Sequence, residues 1–591
     1  MKMDYEKFKT RATLILNVTM VVVTTLAIAS LIVNLGGFNI SPSAQKDIAV
    51  LDWIVVFIFI VDVFIRWGLN GFKVAYLRKN LPDFILTFSF LLLLLAVFGY
   101  SPTSLRTGWL PLFIDLTIAR IFIVLSRLYI VGSPLIRALS KKSRSSEPRL
   151  APAQLFIISF AFVILMGTGL LLIPEATNIG KISIVDALFT ATSATCVTGL
   201  VVVDTGSYFT TFGQLVTLIL IQIGGLGIMT VTTFFTLVAG KSMTVRESVL
   251  MSSTLSIRSL SRVSNLIVST LALTFGFEIV GAIFLYIAWA GFGGFEWGSA
   301  AYHSIYNSIS AFCNAGFSLF ANNLEDYKGN VIVNMTITLL IIFGGLGFIA
   351  IVNLLHYFRF GILRKERLTL HTKLILVVTG VLIVGGTLII LAIEWNNGLA
   401  DMPLSTKLMG SYFQSVTPRT AGFNTINMNT LTNACYFVMI VFMFIGASPG
   451  GTGGGIKTST FGVFLGTIRS MLKGRNQVEM FKRSIPREIV TSALLLTTLT
   501  LMVLSVFAFV LLITEDAMPI RIFFELFSAF GTVGLSAGIT ASLTTIGKLI
   551  IIITMFIGRV GPLTLMLAIS QIKQQKSSVE YEYPEESVLI G

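Results

Sequence analysis

Two short motifs recur four times, in step, along residues 152–591, and this periodicity limits the fold more than any other feature of the chain. The first motif reads ATCVTGL (194–200), AFCNAGF (311–317), TPRTAGF (417–423) and FGTVGLS (530–536). Each ends its polar part at a glycine: Gly199, Gly316, Gly422 and Gly534, separated by 117 (316−199), 106 (422−316) and 112 (534−422) residues. The second motif reads IGGLG (223–227), FGGLG (343–347), IGASPGG (445–451) and IGRVGP (557–562). Its first glycine follows that of the first motif by 25 (224−199), 28 (344−316), 24 (446−422) and 24 (558−534) residues. Any single glycine is explained by close packing of helices. Four in register with a second motif require one structural unit made four times.

The medium in which that unit folds follows from composition. Of 591 residues, 54% are hydrophobic and 12% charged, with a mean hydropathy of +0.87. Runs such as residues 14–33 reach the roughly 20 apolar residues that cross about 30 Å of hydrocarbon. The chain is therefore expected to be an all-α, multi-pass protein of the cell membrane. The net charge of +14 does not point to nucleic acid, because Lys and Arg fall in short segments between spans. Those segments (241–262, 359–373, 469–487 and the linker 134–151) are assigned to the cytoplasm, as are both termini. No cleavable signal is evident before the first span. Cys196, Cys313 and Cys435 offer neither a disulfide framework nor metal-ligand spacing. His303, His356 and His371 are isolated, and no catalytic constellation appears, so an enzyme is not expected. A membrane-embedded enzyme or receptor using intramembrane charges is the remote alternative.

Each unit reads as a span, a short helix such as residues 186–195, a small-residue turn and a glycine-interrupted span. Repeats are placed at about 152–240, 262–360, 371–472 and 488–570, followed by a cytoplasmic tail at 571–591. Ten helical residues reach only about half the hydrocarbon thickness, so the short helix dips in and turns back. Non-helical backbone at membrane depth is tolerated only where protein buries it or it lines a water-filled cavity. Four such turns around one axis meet that condition, with carbonyls replacing the hydration shell of a cation. Glycine permits the positive φ angles this needs. The carboxyl ends of the four short helices add partial negative charge, which favours cations.

At these residues the chain resembles the Trk, Ktr and HKT superfamily of potassium transporters, over about residues 152–591. The resemblance rests on CVTG (Cys196, Val197, Thr198, Gly199), CNAG (Cys313, Asn314, Ala315, Gly316), RTAG (Arg419, Thr420, Ala421, Gly422) and GTVG (Gly531, Thr532, Val533, Gly534), each with its glycine-rich span. The closing YEYPEESVLIG also resembles the carboxyl end of Ktr and Trk membrane subunits. It implies a selectivity filter at these sixteen positions, with the four glycines coordinating potassium. In the family, serine at the first glycine accompanies sodium transport; glycine at all four positions here implies potassium, with a sodium-permeable or sodium-coupled member as the alternative. The resemblance also implies a homodimer and a cytoplasmic nucleotide-binding regulatory subunit of the TrkA or KtrA kind.

The third repeat departs from the others. Between 445 and 459, Gly446, Ser448, Pro449, Gly450, Gly451, Gly453, Gly454 and Gly455 are too many helix breakers for an ordinary span. A packing kink is the plain reading; the resemblance implies an intramembrane gate loop beneath the filter, with Lys457 at its end. A phosphate-binding loop is excluded, because Gly455 is followed by Ile456 before Lys457. Arg559 takes the place of Gly225 and Gly345, inside an apolar span where a charge costs at least about 2.5 kcal/mol. It either snorkels or, as the resemblance implies, projects below the filter as a barrier to the ion. The thiols of Cys196 and Cys313 are expected to pack behind the turns, and Arg419 to point away from the pore as an outer-vestibule or structural charge.

Residues 1–140 lie outside the resemblance, and 1–133 of them are read as a separate amino-terminal domain. Spans near 12–35, 48–69, 81–100 and 110–131 form a four-helix membrane domain carrying Asp52, Asp62, Arg66, Asp83, Arg120 and Arg127. The pattern is only partly that of a voltage sensor. Two cations seven residues apart, each gaining about 2.3 kcal/mol per 100 mV, bias a gate without driving it steeply. A structural or regulatory appendage with internal ion pairs is the expectation.

Overall fold

A computed structural model describes residues 57–58, 60–69, 71–72, 152–227, 263–291, 295–358, 368–475, 477–562 and 564, with residues 12, 16 and 19. Most of the amino-terminal spans, the linker and the tail lie outside the described residues. Within 57–72, a helical segment carries an Arg66–Asp62 ion pair at 2.7 Å.

Each repeat opens with a long helix: α1 (Pro152–Leu171), α4 (Val263–Tyr286), α8 (Leu370–Glu394) and α12 (Arg487–Thr514). Their apolar side chains, among them Val381, Val384, Met502 and Phe509, are exposed on the outer surface. That arrangement suits hydrocarbon as solvent. Stretches including α4, α8 and α12 are long and apolar enough to cross a membrane. The short helices follow as α2 (Ile184–Thr195), α5 (Trp297–Phe312), α9 (Leu404–Val416) and α13 (Pro519–Gly531). With 12 to 16 residues they extend about 18–24 Å. None spans.

The second helices are α3 (Thr211–Leu226), α6 (Val331–Leu346), α10 (Asn433–Phe444) and α14 (Thr545–Val560). Each follows a cap residue whose side chain accepts the backbone N–H three residues on: Thr210, Asn330, Thr432 and Thr544. Such caps satisfy donors that a helix start leaves orphaned. The cap precedes the second-motif glycine by 14 residues in every repeat (224−210, 344−330, 446−432, 558−544). The uneven 25, 28, 24 and 24 therefore arises wholly in the outer loop between turn and cap.

Packing is cyclic. Every long helix packs on the short helix of its own repeat. Every second helix packs on the short helix of the next repeat: α3 on α5, α6 on α9, α10 on α13, and α14 back on α2. Lys548 of α14 and Asp186 of α2 form a 2.7 Å ion pair at that last junction.

Three second helices end at a glycine with φ near +85°: Gly227 (80°), Gly347 (86°) and Gly561 (88°). After Gly347 the chain bends by 98° into α7 (Phe348–His356). In the third repeat, α10 ends at Phe444 and the chain forms a loop closed by a bridge between Ile445 and Ile456, then continues as α11 (Thr458–Leu472). A two-residue hairpin, β1 (Glu479–Met480) with β2 (Arg483–Ser484), leads to α12.

A candidate ion pore

The four turns meet. A Cβ built on Gly199 would lie 2.3 Å from the Ala315 carbonyl oxygen; on Gly316, 2.8 Å from that of Ala421; on Gly422, 2.5 Å from that of Val533; on Gly534, 2.2 Å from that of Thr198. The contacts run once around and return to the start, so the glycines and the carbonyls before them form a closed ring. The glycines have φ of 92°, 70°, 78° and 91°. Both the conformation and the approach put any side chain there under strain.

Two residues before each glycine the backbone is again left-handed, at Val197 (58°), Asn314 (60°), Thr420 (69°) and Thr532 (50°). The sequence predicts positive φ only at the glycines. For β-branched Val and Thr this region is unfavourable, at about 1–3 kcal/mol each, and persists only where the surroundings hold it. Alternating the hand of the backbone in this way lets successive carbonyls share one direction.

What holds the turns is partly a set of hydroxyls the sequence reading passed over. The Thr198, Ala315 and Val533 N–H groups donate to the carbonyls of Ser193 (2.7 Å), Ser310 (2.7 Å) and Ser528 (2.8 Å). Gly199 N–H and Gly534 N–H donate to Ser193 Oγ and Ser528 Oγ, both at 3.1 Å. Ser310 Oγ donates to the Phe317 carbonyl at 2.7 Å, and in the third repeat Thr417 Oγ1 does so to Phe423 at 2.5 Å. Serine six residues before the glycine in three repeats was the available signal.

Above the ring lies a cavity of about 330 Å³ lined by all four glycines. Its wall is polar, with Asp204, Glu325, Asn322, Asn424 and Asn429. Burial raises the Glu325 carboxyl above the ordinary glutamate range, partly offset by the hydrogen bond from Asn424 at 2.8 Å.

Below the ring lies the loop 446–455. Ser448 N–H and Thr452 N–H donate to the carbonyls of Gly345 (2.9 Å) and Gly344 (3.1 Å), and Phe348 N–H donates to Gly450 (3.1 Å). The Ser448 and Thr458 hydroxyls are 2.7 Å apart. Pro449 approaches Gly347, whose Cβ would sit 2.4 Å from the Pro449 carbonyl, and Gly451 lies against the Gly344 and Gly345 carbonyls. Gly446, Gly453, Gly454 and Gly455 also face neighbouring atoms too close for a Cβ to enter unstrained. Lys457 Nζ donates to the Gly453 carbonyl at 2.7 Å. Arg559 donates to the Thr452 carbonyl and to that of Gly224, so it straps the loop to the second helix of the first repeat.

The second-motif glycines have a packing reason. A Cβ on Gly224, Gly344 or Gly558 would lie 2.0 Å from the carbonyl of Thr195, Phe312 or Phe530, at the carboxyl end of a short helix. In the third repeat Gly446 meets Gly454 of its own loop instead.

Cys196 and Cys313 are fully buried with free thiols, as is Cys435. Arg419 is only 3% exposed and donates to Thr379 Oγ1 of α8 at 3.2 Å. It belongs to the packing between α8 and the turn and does not line the outer cavity. His303 stacks on Phe320 at 4.7 Å. Glu278 and Glu525 are among the buried carboxylates for which the sequence gives little warning. Glu278 of α4 accepts from Gln222 Nε2 at 3.1 Å, and Glu525 of α13 accepts from Ala537 N–H at 3.1 Å, Thr540 Oγ1 at 2.9 Å and Ser536 Oγ. Both sit within predominantly apolar helices, where a single acidic letter was the only sign.

Comparison with known proteins shows the family and the fold. Residues 128–581 match the family described as TrkH, cation transport protein. The chain is 40% identical over 445 residues to the Ktr system potassium uptake protein B of Bacillus subtilis, covering 75% of this chain and 97% of that protein. It is 38% identical over 449 residues to the potassium/sodium uptake protein NtpJ of Enterococcus hirae, covering 75% and 98%. Its fold is similar to the crystal structure of the potassium transporter TrkH from Vibrio parahaemolyticus, with a TM-score of 0.62, 17% identity, and coverage of 80% and 96%. This chain belongs to the TrkH family of cation transport proteins.

Proposed function

We propose that the protein is a potassium uptake subunit in which a monovalent cation sheds water at the outer cavity, passes the ring of carbonyls and is held back by the loop 446–455 and Arg559. The observation that carries this reading is the cyclic contact of Gly199, Gly316, Gly422 and Gly534 with the carbonyls of Ala315, Ala421, Val533 and Thr198. Carbonyl oxygens on one axis supply a cation what its hydration shell supplied, and their dipoles require no reorganisation as the ion arrives. The cationic side chain of Arg559 beneath them opposes an ion of the same sign, and its hydrogen bonds keep the loop seated.

The same reading makes the chain one half of a homodimer in the cell membrane, with both termini and the basic segments facing the cytoplasm and a nucleotide-binding regulatory subunit docking there. Support comes from relatives named as components of a Ktr system and from the cationic inter-span segments. It makes the protein a transporter and not an enzyme. Sodium permeation is the second reading, favoured by the relative whose name joins potassium and sodium.

The test is ion flux into proteoliposomes under an imposed voltage, with potassium, rubidium or sodium and with and without a sodium gradient, for the natural chain and Gly199→Ser. Potassium-selective flux that Gly199→Ser shifts toward sodium supports the reading. Equal potassium and sodium flux, unaltered by that change, favours the sodium-permeable alternative and removes the filter assignment.

A further inference from the structure

The left-handed residue of each turn, two places before the glycine, has its side chain packed against the second motif or the loop that follows it, and in the third and fourth repeats it meets the loop. Gly454 N–H donates to Thr532 Oγ1 at 2.8 Å, and a Cβ on Gly454 would lie 2.7 Å from Thr532 Cγ2. Gly453 abuts Thr420 so closely that a Cβ there would sit 2.0 Å from Thr420 Oγ1. With the Asn314 amide oriented to satisfy both ends, its oxygen accepts from the Thr420 hydroxyl at 3.0 Å and its nitrogen donates to the carbonyls of Ala311 (3.0 Å) and Ile341 (3.2 Å). Asn314, Thr420 and Thr532 are all fully buried. In the first repeat the equivalent Val197 packs on Gly224 and makes no contact of this kind with the loop.

These facts belong together because left-handed backbone at a β-branched residue persists only if its surroundings hold it. At Thr532 the hold on the side chain is an N–H of the loop. A seated loop therefore stabilises the turn that aims the carbonyls, and a displaced loop leaves Thr532 without that donor.

We propose that Thr532, with Thr420 and Asn314 beside it, is a positioning residue that makes the ion selectivity of the filter depend on the loop being seated. Gate and filter are then one coupled device: the loop that limits flux also holds the filter geometry that discriminates potassium from sodium. The inference rests on the filter reading above and adds a role for side chains where that reading uses only main-chain oxygens.

The experiment compares Thr532→Val, which keeps the shape and removes the acceptor, with Thr532→Ser, which keeps the hydroxyl. Potassium flux and the potassium-to-sodium permeability ratio, read from the reversal potential, are measured on proteoliposomes of the full chain. Thr532→Val is expected to raise flux and lower the ratio by about fivefold, the equilibrium weight of one neutral hydrogen bond; Thr532→Ser restores both. Higher flux at an unchanged ratio would overturn the proposal, because the bond would then hold the loop without reaching the filter. No change in either would overturn it too. If Thr532→Val gives no folded protein, Thr532→Cys replaces the hydroxyl by a weak acceptor and is read the same way. Gly199→Ser in parallel separates the failures. A ratio altered by Gly199→Ser but untouched at Thr532 removes the coupling alone, whereas a ratio untouched by both removes the filter reading beneath it.

Discussion

Gly534 closes against Thr198: the last repeat meets the first so tightly that a Cβ on Gly534 would stand 2.2 Å from the Thr198 carbonyl oxygen. Three further contacts of the same kind complete the circuit, and the functional account follows from that closure.

Adjacent glycines of the second repeat are expected to behave differently. Gly344→Ala drives a methyl group to 2.0 Å from the Phe312 carbonyl, backbone that cannot step aside, whereas Gly345→Ala meets only the side-chain amide of Asn314 at 3.2 Å. Overpacking of this sort costs about 1–3 kcal/mol. Gly344→Ala should lower the melting temperature of the detergent-solubilised protein and abolish rubidium uptake, and Gly345→Ala should do little to either. Equal effects would contradict the packing assigned to this pair.

Replacing Arg559 by Gln removes both a charge beneath the proposed filter and the strap from the loop to Gly224. Since tenfold in rate corresponds to about 1.4 kcal/mol of barrier, and a close unit charge in a protein environment exceeds that, flux should rise at least about tenfold. Arg559→Lys, which keeps the charge but not the planar fork, should fall between the two. Unchanged or reduced flux in Arg559→Gln, with normal folding, would count against the barrier role.

Glu325 is expected to make the cavity above the ring sensitive to the pH on its side of the membrane. Because burial raises its carboxyl, it takes up a proton at a higher pH than an ordinary glutamate, and the mouth loses a negative charge as pH falls through that raised range. At low ionic strength, cation flux should fall by about twofold in that window, less at 0.15 M salt, where screening sets in within about 8 Å. Glu325→Gln should flatten the profile at the lower level. A wild-type profile that Glu325→Gln leaves intact would assign the titration elsewhere.

The Lys548–Asp186 pair locks the junction of the fourth and first repeats at 2.7 Å, with both side chains partly buried. A double-mutant cycle of Lys548→Met and Asp186→Asn on thermal stability should return a coupling of about 1 kcal/mol, near the upper end for exposed pairs. A coupling near zero would show that helix packing alone closes the ring.

Much of this was legible in the letters because the determinants are local and repeated. Glycine at 199, 316, 422 and 534 announces a turn with no room for a side chain, and the glycines at 224, 344 and 558 announce a helix pressed on a carbonyl. The 14-residue step from Thr210, Asn330, Thr432 and Thr544 to those glycines was there as well, hidden by loops of unequal length. Other features depend on neighbours hundreds of residues away. Thr532 gives no sign in sequence that it adopts a left-handed backbone, since its own propensity argues against it and only Gly454 and the packed ring hold it there. Arg419 is ambiguous for the same reason: a charge three residues before a glycine of the ring could face the vestibule or the protein, and only the position of Thr379 on α8 decides.

The most direct test of the central claim is anomalous diffraction from crystals of the purified protein grown in rubidium. The account predicts a rubidium peak on the axis among the carbonyls of Thr198, Ala315, Ala421 and Val533. Rubidium peaks elsewhere, with none among those four oxygens, would contradict it.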